Sequence, residues 1–248
     1  MMLLVDAGNT RVKWAVVDAD AALGEWQAHG AVPHAQLGEL AAAWAAAGGV
    51  TCALVSNVAG AQLAERLAAV LPEGIAVEWF ASMLVRAGLR NGYREPGRLG
   101  CDRFAAAIGA RALAPGQDLI VATCGTATTV DAVSADGRFV GGMILPGLAL
   151  MASSLASNTA QLPQVDPGAL PALFGDNTND AILAGVLSAQ AGAIERAVAG
   201  HRATACIVSG GAAPYIAPAL KIAHLAVDNI VLVGLQAVAA WTREEARC

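Results

Sequence analysis

The sequence predicts an α/β protein made of two related halves, each a mixed sheet flanked by helices. Three observations point there: an internal repeat of a strand, tight turn, strand and hairpin; helix–strand alternation after each copy; and a composition apolar enough to fill a sizeable core. At 248 residues the chain has room for two domains of ordinary size. It is 56% hydrophobic and 14% charged, with a mean hydropathy of +0.54. Those values exclude an intrinsically disordered chain.

The first copy opens at Leu3 (LLVDAGNTRVKWAVVDADAALGEW) and the second at Ile120 (IVATCGTATTVDAVSADGRFVGG). In each, a short apolar strand runs into a Gly-containing turn, Asp6-Ala7-Gly8-Asn9-Thr10 or Thr123-Cys124-Gly125-Thr126-Ala127, and a second apolar strand follows at once. Matching Gly8 to Gly125 sets the copies 125 − 8 = 117 residues apart and puts Thr123 where the first copy has Asp6. Each second strand ends in a turn of acid and glycine: Asp18, Asp20 and Gly24, then Asp136 and Gly137. Beyond the first hairpin the pattern predicts a helix over 36–47, a strand over 51–55, a helix over 61–71 and a strand over 75–80. In the second half it predicts a long helix over 179–199, a strand over 205–208 and a terminal helix over 228–245. The Pro- and Gly-bearing stretch 112–118 follows a helical pattern and puts the junction near residue 115, dividing the chain into 1–115 and 116–248.

The apolar content comes largely from alanine and is broken by Gly and Pro. The longest uncharged stretch, 139–165, contains Gly141, Gly142, Pro146, Ser153, Ser154, Asn158 and Pro163, which makes it a poor spanning helix. No membrane partner is expected. Residues 1–5 carry no basic leader and Asp6 interrupts the apolar run, so the expected compartment is the cytoplasm. Five scattered cysteines, Cys52, Cys101, Cys124, Cys206 and Cys248, form no CxxC pair and no zinc spacing with histidine, and read as free thiols. A net charge of −5 and a pI near 5.3 supply no basic footprint, so nucleic acid is not an expected partner either.

A turn between strands that carries Gly and small hydroxyl residues brings backbone N–H groups close to an anion, because no bulky Cβ stands in the way. Phosphate is the obvious guest. A carboxylate at the mouth of such a turn repels phosphate unless a metal intervenes, so Asp6 beside Gly8, Asn9 and Thr10 suggests Mg²⁺ bridging carboxylate and phosphate oxygens, with Lys13 adding positive charge. The plainer reading is an ordinary hairpin turn, which favours Asp, Gly and Asn in any case. Two further turns shift the weight toward phosphate: Gly125-Thr126-Ala127-Thr128-Thr129 followed by Asp131, and Ser209-Gly210-Gly211-Ala212-Ala213. Asp131, inside a strand, needs hydrogen-bond partners or a cation; it either approaches the metal or bonds to neighbouring threonines. Three such loops in this order resemble those of the actin and sugar-kinase superfamily, where two grip phosphates and the third lies against the adenosine. That resemblance implies duplicated actin-like (ribonuclease H-like) domains with the active site in the cleft between them.

Between the repeats, residues 91–103 (NGYREPGRLGCDR) run straight into the helical pattern FAAAIGA. An Asp at a helix start is commonly a cap or a partner of the helix dipole. Here Asp102 also closely follows Gly100, which permits close substrate approach. The pattern Asn91-x-Tyr93-x-x-Pro96-x-x-Leu99-Gly100-x-Asp102-Arg103 resembles the signature of type III pantothenate kinases. Similar to that family as well are Asp6-x-Gly8-Asn9-Thr10, Gly125-Thr126-Ala127-Thr128-Thr129-x-Asp131, Gly141-Gly142-x-Ile144-x-Pro146-Gly147, Leu155-x-x-x-Thr159-Ala160-x-Leu162-Pro163, Asn177-Thr178 with Gly185, and Ser209-Gly210-Gly211. The resemblance covers nearly the whole chain, in family order.

What it implies is ATP-dependent phosphorylation of pantothenate to 4′-phosphopantothenate, the first step of coenzyme A synthesis. Mg-ATP is then bound by Asp6, Ala7, Gly8, Asn9, Thr10, Arg11, Val12, Lys13 and Thr126, with the metal at Asp6. Pantothenate is bound by Tyr93, Gly100, Cys101, Asp102, Arg103 and Thr178. Asp102 becomes the catalytic base, which is sound chemistry: a primary alcohol is a weak nucleophile, and a positioned carboxylate accepts its proton as the phosphoryl group transfers. Arg103 holds substrate or neutralises phosphate. The plainer readings are a half-buried packing aromatic for Tyr93 and a simple helix N-cap for Thr178. His29, His34, His201 and His224 lie outside all the motifs and read as surface or structural residues.

Thr123 is a departure, because the family usually carries an Asp there, associated with a monovalent cation such as potassium or ammonium. A neutral Thr binds potassium weakly, since the anchoring charge is missing. The family is a homodimer whose neighbouring subunit partly closes the substrate pocket, and the apolar stretch 143–155 then lines either that interface or the internal core. Two other readings share the fold: a kinase of another small alcohol or a phosphohydrolase, and a non-catalytic transcriptional accessory protein. The 93–103 signature argues against the first, and retention of Asp6, Asp102 and Arg103 against the second.

Overall fold

The computed structural model describes residues 1–18, 20–166 and 171–245. Contacts divide the chain into two units, one of Met1–Leu113 together with the segment from Ile230 onward, the other of Ala114–Asn229. A single cut near residue 115 leaves the last helix in the second half, whereas the contacts put it in the first.

In the first unit, β1 (Met2–Ala7), β2 (Arg11–Val17), β3 (Ala28–Pro33), β4 (Cys52–Asn57) and β5 (Ala76–Phe80) form a sheet in the order β3-β2-β1-β4-β5. β1 pairs antiparallel with β2 and parallel with β4. A central strand covered on both faces reads as an unbroken apolar run rather than an alternating one, and Met2 to Val5 does so until Asp6 interrupts it. The helices α1 (Glu39–Ala47) and α2 (Ala61–Ala68) each bury an i, i+4 pair, Leu40 with Trp44 and Leu63 with Leu67, onto Leu3, Val5 and Val55 of the sheet. The short strands β6 (Val85–Arg86) and β7 (Leu89–Asn91) form a hairpin ahead of α3 (Cys101–Leu113).

Let β8 (Leu119–Cys124), β9 (Ala127–Val133), β10 (Arg138–Pro146), β11 (Ala205–Ser209) and β12 (Leu225–Val227) be the strands of the second unit, and α4 (Leu148–Asn158), α5 (Thr178–His201) and α6 (Ala213–Ile216) its helices; α7 (Ile230–Glu245) closes the chain. α7 runs along α3 and touches β1. A Cβ on Gly234 of α7 would stand 1.8 Å from the Ala105 carbonyl oxygen, and one on Gly109 of α3 would stand 2.7 Å from the Gly234 nitrogen. The two helices therefore approach backbone to backbone, which only glycine allows. Gln236, also on α7 and buried, accepts from the Gly24 amide at 2.9 Å and donates to the Ala22 carbonyl at 2.9 Å. These contacts explain why the last helix belongs to the first unit.

The strands of the second unit run β12-β11-β8-β9-β10. Each neighbour has the same sense as its counterpart in the first unit: antiparallel for β8 with β9 and β9 with β10, parallel for β8 with β11 and β11 with β12. The repeat is thus a true duplication of topology. Its turns differ by one residue, because Asp6 lies opposite Lys13 (13 − 6 = 7) whereas Thr123 lies opposite Thr129 (129 − 123 = 6). Past the turn, the counterpart of Lys13 is therefore Thr129. By length and composition α5 qualifies as a membrane-crossing helix. It packs instead on β8 and β9, burying Leu183, Leu187 and Ile194 as a core helix. Within 143–155, Leu148 and Ala152 are core residues, while Ile144 is 66% and Leu150 50% exposed.

Candidate active site

The first unit gathers Asp6, Lys13, Cys101, Asp102, Arg103 and Tyr93. β1 delivers Asp6 to the carboxyl end of its strand, where it is 4% exposed with the Lys13 Nζ 3.5 Å from Oδ2. Burial pushes its carboxyl up to about 6; Lys13 pulls it back, and the charge of Asp102 adds to the rise. Asp6 is a buried acid facing a second acid, and the one cation that lowers its pKa, Lys13, is partly exposed. That fits a divalent cation bound largely through phosphate and water, the habit of Mg²⁺. Among the described residues no group of three or more His, Cys, Asp or Glu side chains is placed to hold a metal ion.

The turn after β1 is closed by the Gly8 amide donating to the Arg11 carbonyl at 3.1 Å. Asn9 and Thr10 at its tip are exposed, as is Arg11 at the start of β2, whereas the side chains of Ala7 and Val12 are fully buried in the core. The last two offer a ligand only backbone.

Asp102 stands in the first turn of α3, its Oδ1 accepting from the Arg103 amide at 2.8 Å. Burial raises its pKa, against the pull of that amide and of the Arg103 and Lys13 charges. A raised pKa makes a better proton acceptor. A Cβ at Gly100 would stand 2.7 Å from the Asp102 Oδ1, so the glycine also makes room for the acid itself. Cys101 is tied to the sheet, with Sγ 3.3 Å from Ser56 Oγ and donating to the Asn57 carbonyl at 3.5 Å. Its thiol is pushed up by burial, which makes it inert. Cys124 and Cys206 are pushed up to about 12 and about 11 by burial. Cys52, Cys101, Cys124 and Cys206 are all free, and Cys248 lies outside the described residues.

Arg103, 7% exposed, donates from Nη1 to the Tyr93 hydroxyl at 2.8 Å, its guanidinium carbon 5.7 Å from the ring centroid. Tyr93 is set by Asn91, which accepts from the Tyr93 amide at 3.0 Å and donates to the Pro96 carbonyl at 2.9 Å. The Asn91-x-Tyr93-x-x-Pro96 spacing is thus an Asx-type turn that aims the tyrosine.

In the second unit, the β8–β9 turn closes through the Gly125 amide and the Ala127 carbonyl at 3.0 Å, and the Gly147 amide donates to the Thr126 carbonyl at 2.9 Å. The Ser209-Gly210 turn follows β11, whose Ser209 lies beside Thr123 in register. Asp131 is buried on β9; the Thr129 hydroxyl two residues away makes no hydrogen bond among the described residues, so that threonine is not its partner. Thr178 is not the cap of α5. Asn177 is, accepting from the Asp180 amide at 3.0 Å. Thr178 instead lines a cavity of about 490 Å³ with Met151, Leu155, Leu162, Ile182 and Gly185.

Sequence reasoning missed two side chains at the first-unit site. Ser56 is invisible as a motif, since only the register that sets it beside Asp6 gives it meaning. His34, read as surface or structural, places Nε2 2.8 Å from the Gly8 carbonyl oxygen.

The profile of the type III pantothenate kinase family matches residues 2–200. The chain belongs to the type III pantothenate kinase family. A type III pantothenate kinase of Herminiimonas arsenicoxydans is 56% identical over 255 residues, covering 98% of each chain. Among solved structures, a candidate Baf family transcriptional activator from Campylobacter jejuni superposes with a TM-score of 0.65 at 21% identity, over 99% of this chain and 100% of that one. A candidate 2-dehydro-3-deoxygalactonokinase from Sinorhizobium meliloti gives 0.58 at 17%, over 98% and 99%. Identities this low speak for shared fold only, here the two-domain α/β fold of actin-like ATPases and sugar kinases. In a type III pantothenate kinase the duplicated topology thus coincides with the acid-and-lysine turn and the 91–103 signature.

Proposed function

We propose that the chain transfers the γ-phosphoryl group of ATP to the primary hydroxyl of pantothenate, giving 4′-phosphopantothenate and ADP, the opening step of coenzyme A synthesis. The observation that carries the reading is Asp102, a half-buried carboxylate held at a helix start by the Arg103 amide, with basicity raised by desolvation. The hydroxyl proton passes to Asp102 as the oxygen bonds to the γ-phosphorus, the bond from that phosphorus to the β–γ bridging oxygen breaks, and ADP leaves. The turn from Gly8 to Thr10 and Lys13 take the phosphates. Tyr93, Gly100, Cys101 and Arg103 shape the acceptor site. Asp6 would hold Mg²⁺, which would supply charge neutralisation for the phosphates.

Whether potassium or ammonium is a further ligand turns on Thr123, whose neutral side chain lacks the charge that would anchor such a cation. The working form is a cytoplasmic homodimer. A purely transcriptional accessory role has no use for a base of raised pKa and an acid that needs a cation.

The test is ADP release by purified protein with Mg-ATP and pantothenate, with and without potassium or ammonium, the product checked by mass. Asp102→Asn is expected to lose about 10²–10⁴ in kcat while keeping its fold and its ATP binding. A folded, ATP-binding wild type that never turns over pantothenate would sink the assignment.

A further inference from the structure

We propose that His34 is a positioning residue for the nucleotide, its ring locking the peptide between Gly8 and Asn9 so that the Asn9 amide is presented to phosphate. The inference rests on the reading of this turn as the ATP phosphate site. The ring nitrogen Nε2 stands 2.8 Å from the Gly8 carbonyl oxygen and donates its proton there, since a carbonyl only accepts. In a trans peptide the carbonyl and the following N–H point in opposite directions, so fixing the Gly8 oxygen toward His34 turns the Asn9 N–H away from the ring. That amide makes no hydrogen bond to the chain among the described residues, and Asn9 is exposed. A backbone donor that is held in direction yet unpaired is what a phosphate oxygen takes.

The histidine is itself held. β3 ends with Pro33 opposite Arg11, the residue that closes the turn, and His34 comes next in the chain. Arg66 of α2 donates from Nη2 to the His34 carbonyl at 2.7 Å. The turn is therefore braced from β3 and from α2, by residues 26 and 58 positions downstream of Gly8 (34 − 8 and 66 − 8).

The experiment measures binding of Mg-AMPPNP by calorimetry, beside steady-state kinetics, for His34→Ala, His34→Gln and Arg66→Met. His34→Ala is expected to weaken AMPPNP binding and raise the KM for ATP about three- to tenfold, the value of one hydrogen bond. The KM for pantothenate and the ligand-free melting temperature stay near wild type. His34→Gln, whose side-chain amide keeps a donor at similar reach, restores most of the affinity. Arg66→Met moves it in the same direction by less and serves as the second probe should His34→Ala fold poorly. Nucleotide affinity within twofold of wild type in His34→Ala, a loss that glutamine does not restore, or an equal rise in both KM values would overturn the assignment. The binding arm needs no acceptor: AMPPNP affinity that depends on His34 in a protein that ignores pantothenate would retire the pantothenate reading and leave this one standing. A wild type that binds no nucleotide at all would retire both.

Discussion

Asp6→Asn is expected to destroy kinase activity and, in the absence of metal and nucleotide, to make the protein more stable at neutral pH. The folded environment lifts the Asp6 carboxyl from 3.8 to about 6, a difference of about two pH units. At about 1.4 kcal/mol per unit, ionised Asp6 costs the native state on the order of 3 kcal/mol relative to its protonated form. The sign follows from proton counting. Between about pH 4 and pH 6 the native chain holds this proton and the unfolded chain does not, so the stability contributed by protonated Asp6 is complete below about pH 4 and lost as pH rises through 6. Asparagine cannot ionise and removes the penalty. It also deprives Lys13 of its partner, at small cost because the lysine side chain is 33% exposed and keeps its water.

Thermal unfolding in EDTA at pH 4.5 and 7.5 measures the difference. The variant is expected to gain about 4–8 °C over wild type at pH 7.5, taking ~2–3 kcal/mol and a few degrees per kcal/mol for a chain of this size, and much less at pH 4.5. Saturating Mg²⁺ narrows the gap by giving wild-type Asp6 a cation. A variant less stable than wild type at pH 7.5, or a gap equal at both pH values, would refute the electrostatic account of the site.

Three further outcomes are expected. Gly234→Ala drives a methyl into the Ala105 carbonyl 1.8 Å away; a loss of about 3 kcal/mol or more in urea unfolding is expected, with Gly192→Ala, in a helix and without close neighbours, as the control. Tyr93→Phe removes the hydroxyl that accepts from Arg103, so the KM for pantothenate is expected to rise about three- to tenfold while the KM for ATP holds. Thr123→Asp restores a carboxylate beside Ser209 and Thr129, and turnover is expected to become more strongly stimulated by potassium; an unchanged cation profile would place any monovalent site elsewhere.

Much of this was legible in the chain. The repeat announced both sheets because a β-hairpin with a glycine turn is a local motif, and the apolar runs at β1 and β8 mark strands covered on both faces. The placement of α7 was not legible. Its ownership depends on Gly109, Gly234 and Gln236 meeting partners more than a hundred residues away, and no window of sequence contains both sides of such a contact. At the site, Asp102 and Tyr93 could be read from their spacing, since an acid opening a helix and an Asx turn are local devices. Ser56 and His34 could not, because strand register and a carbonyl 26 residues back (34 − 8) give them their roles. Thr178 was mistaken for a possible cap because Asn177, one residue earlier, has the same chemistry and takes that place.

The return of α7 to the first unit bears on how the protein is made. A ribosome releases Met1–Leu113 early, but that unit lacks its last helix until Ala114–Asn229 has been synthesised, a delay on the order of ten seconds. During that interval the flank of α3 around Ala105 and Gly109, which α7 later covers, stands open, while the second unit emerges whole and folds without waiting. The half of the chain made first is therefore completed last.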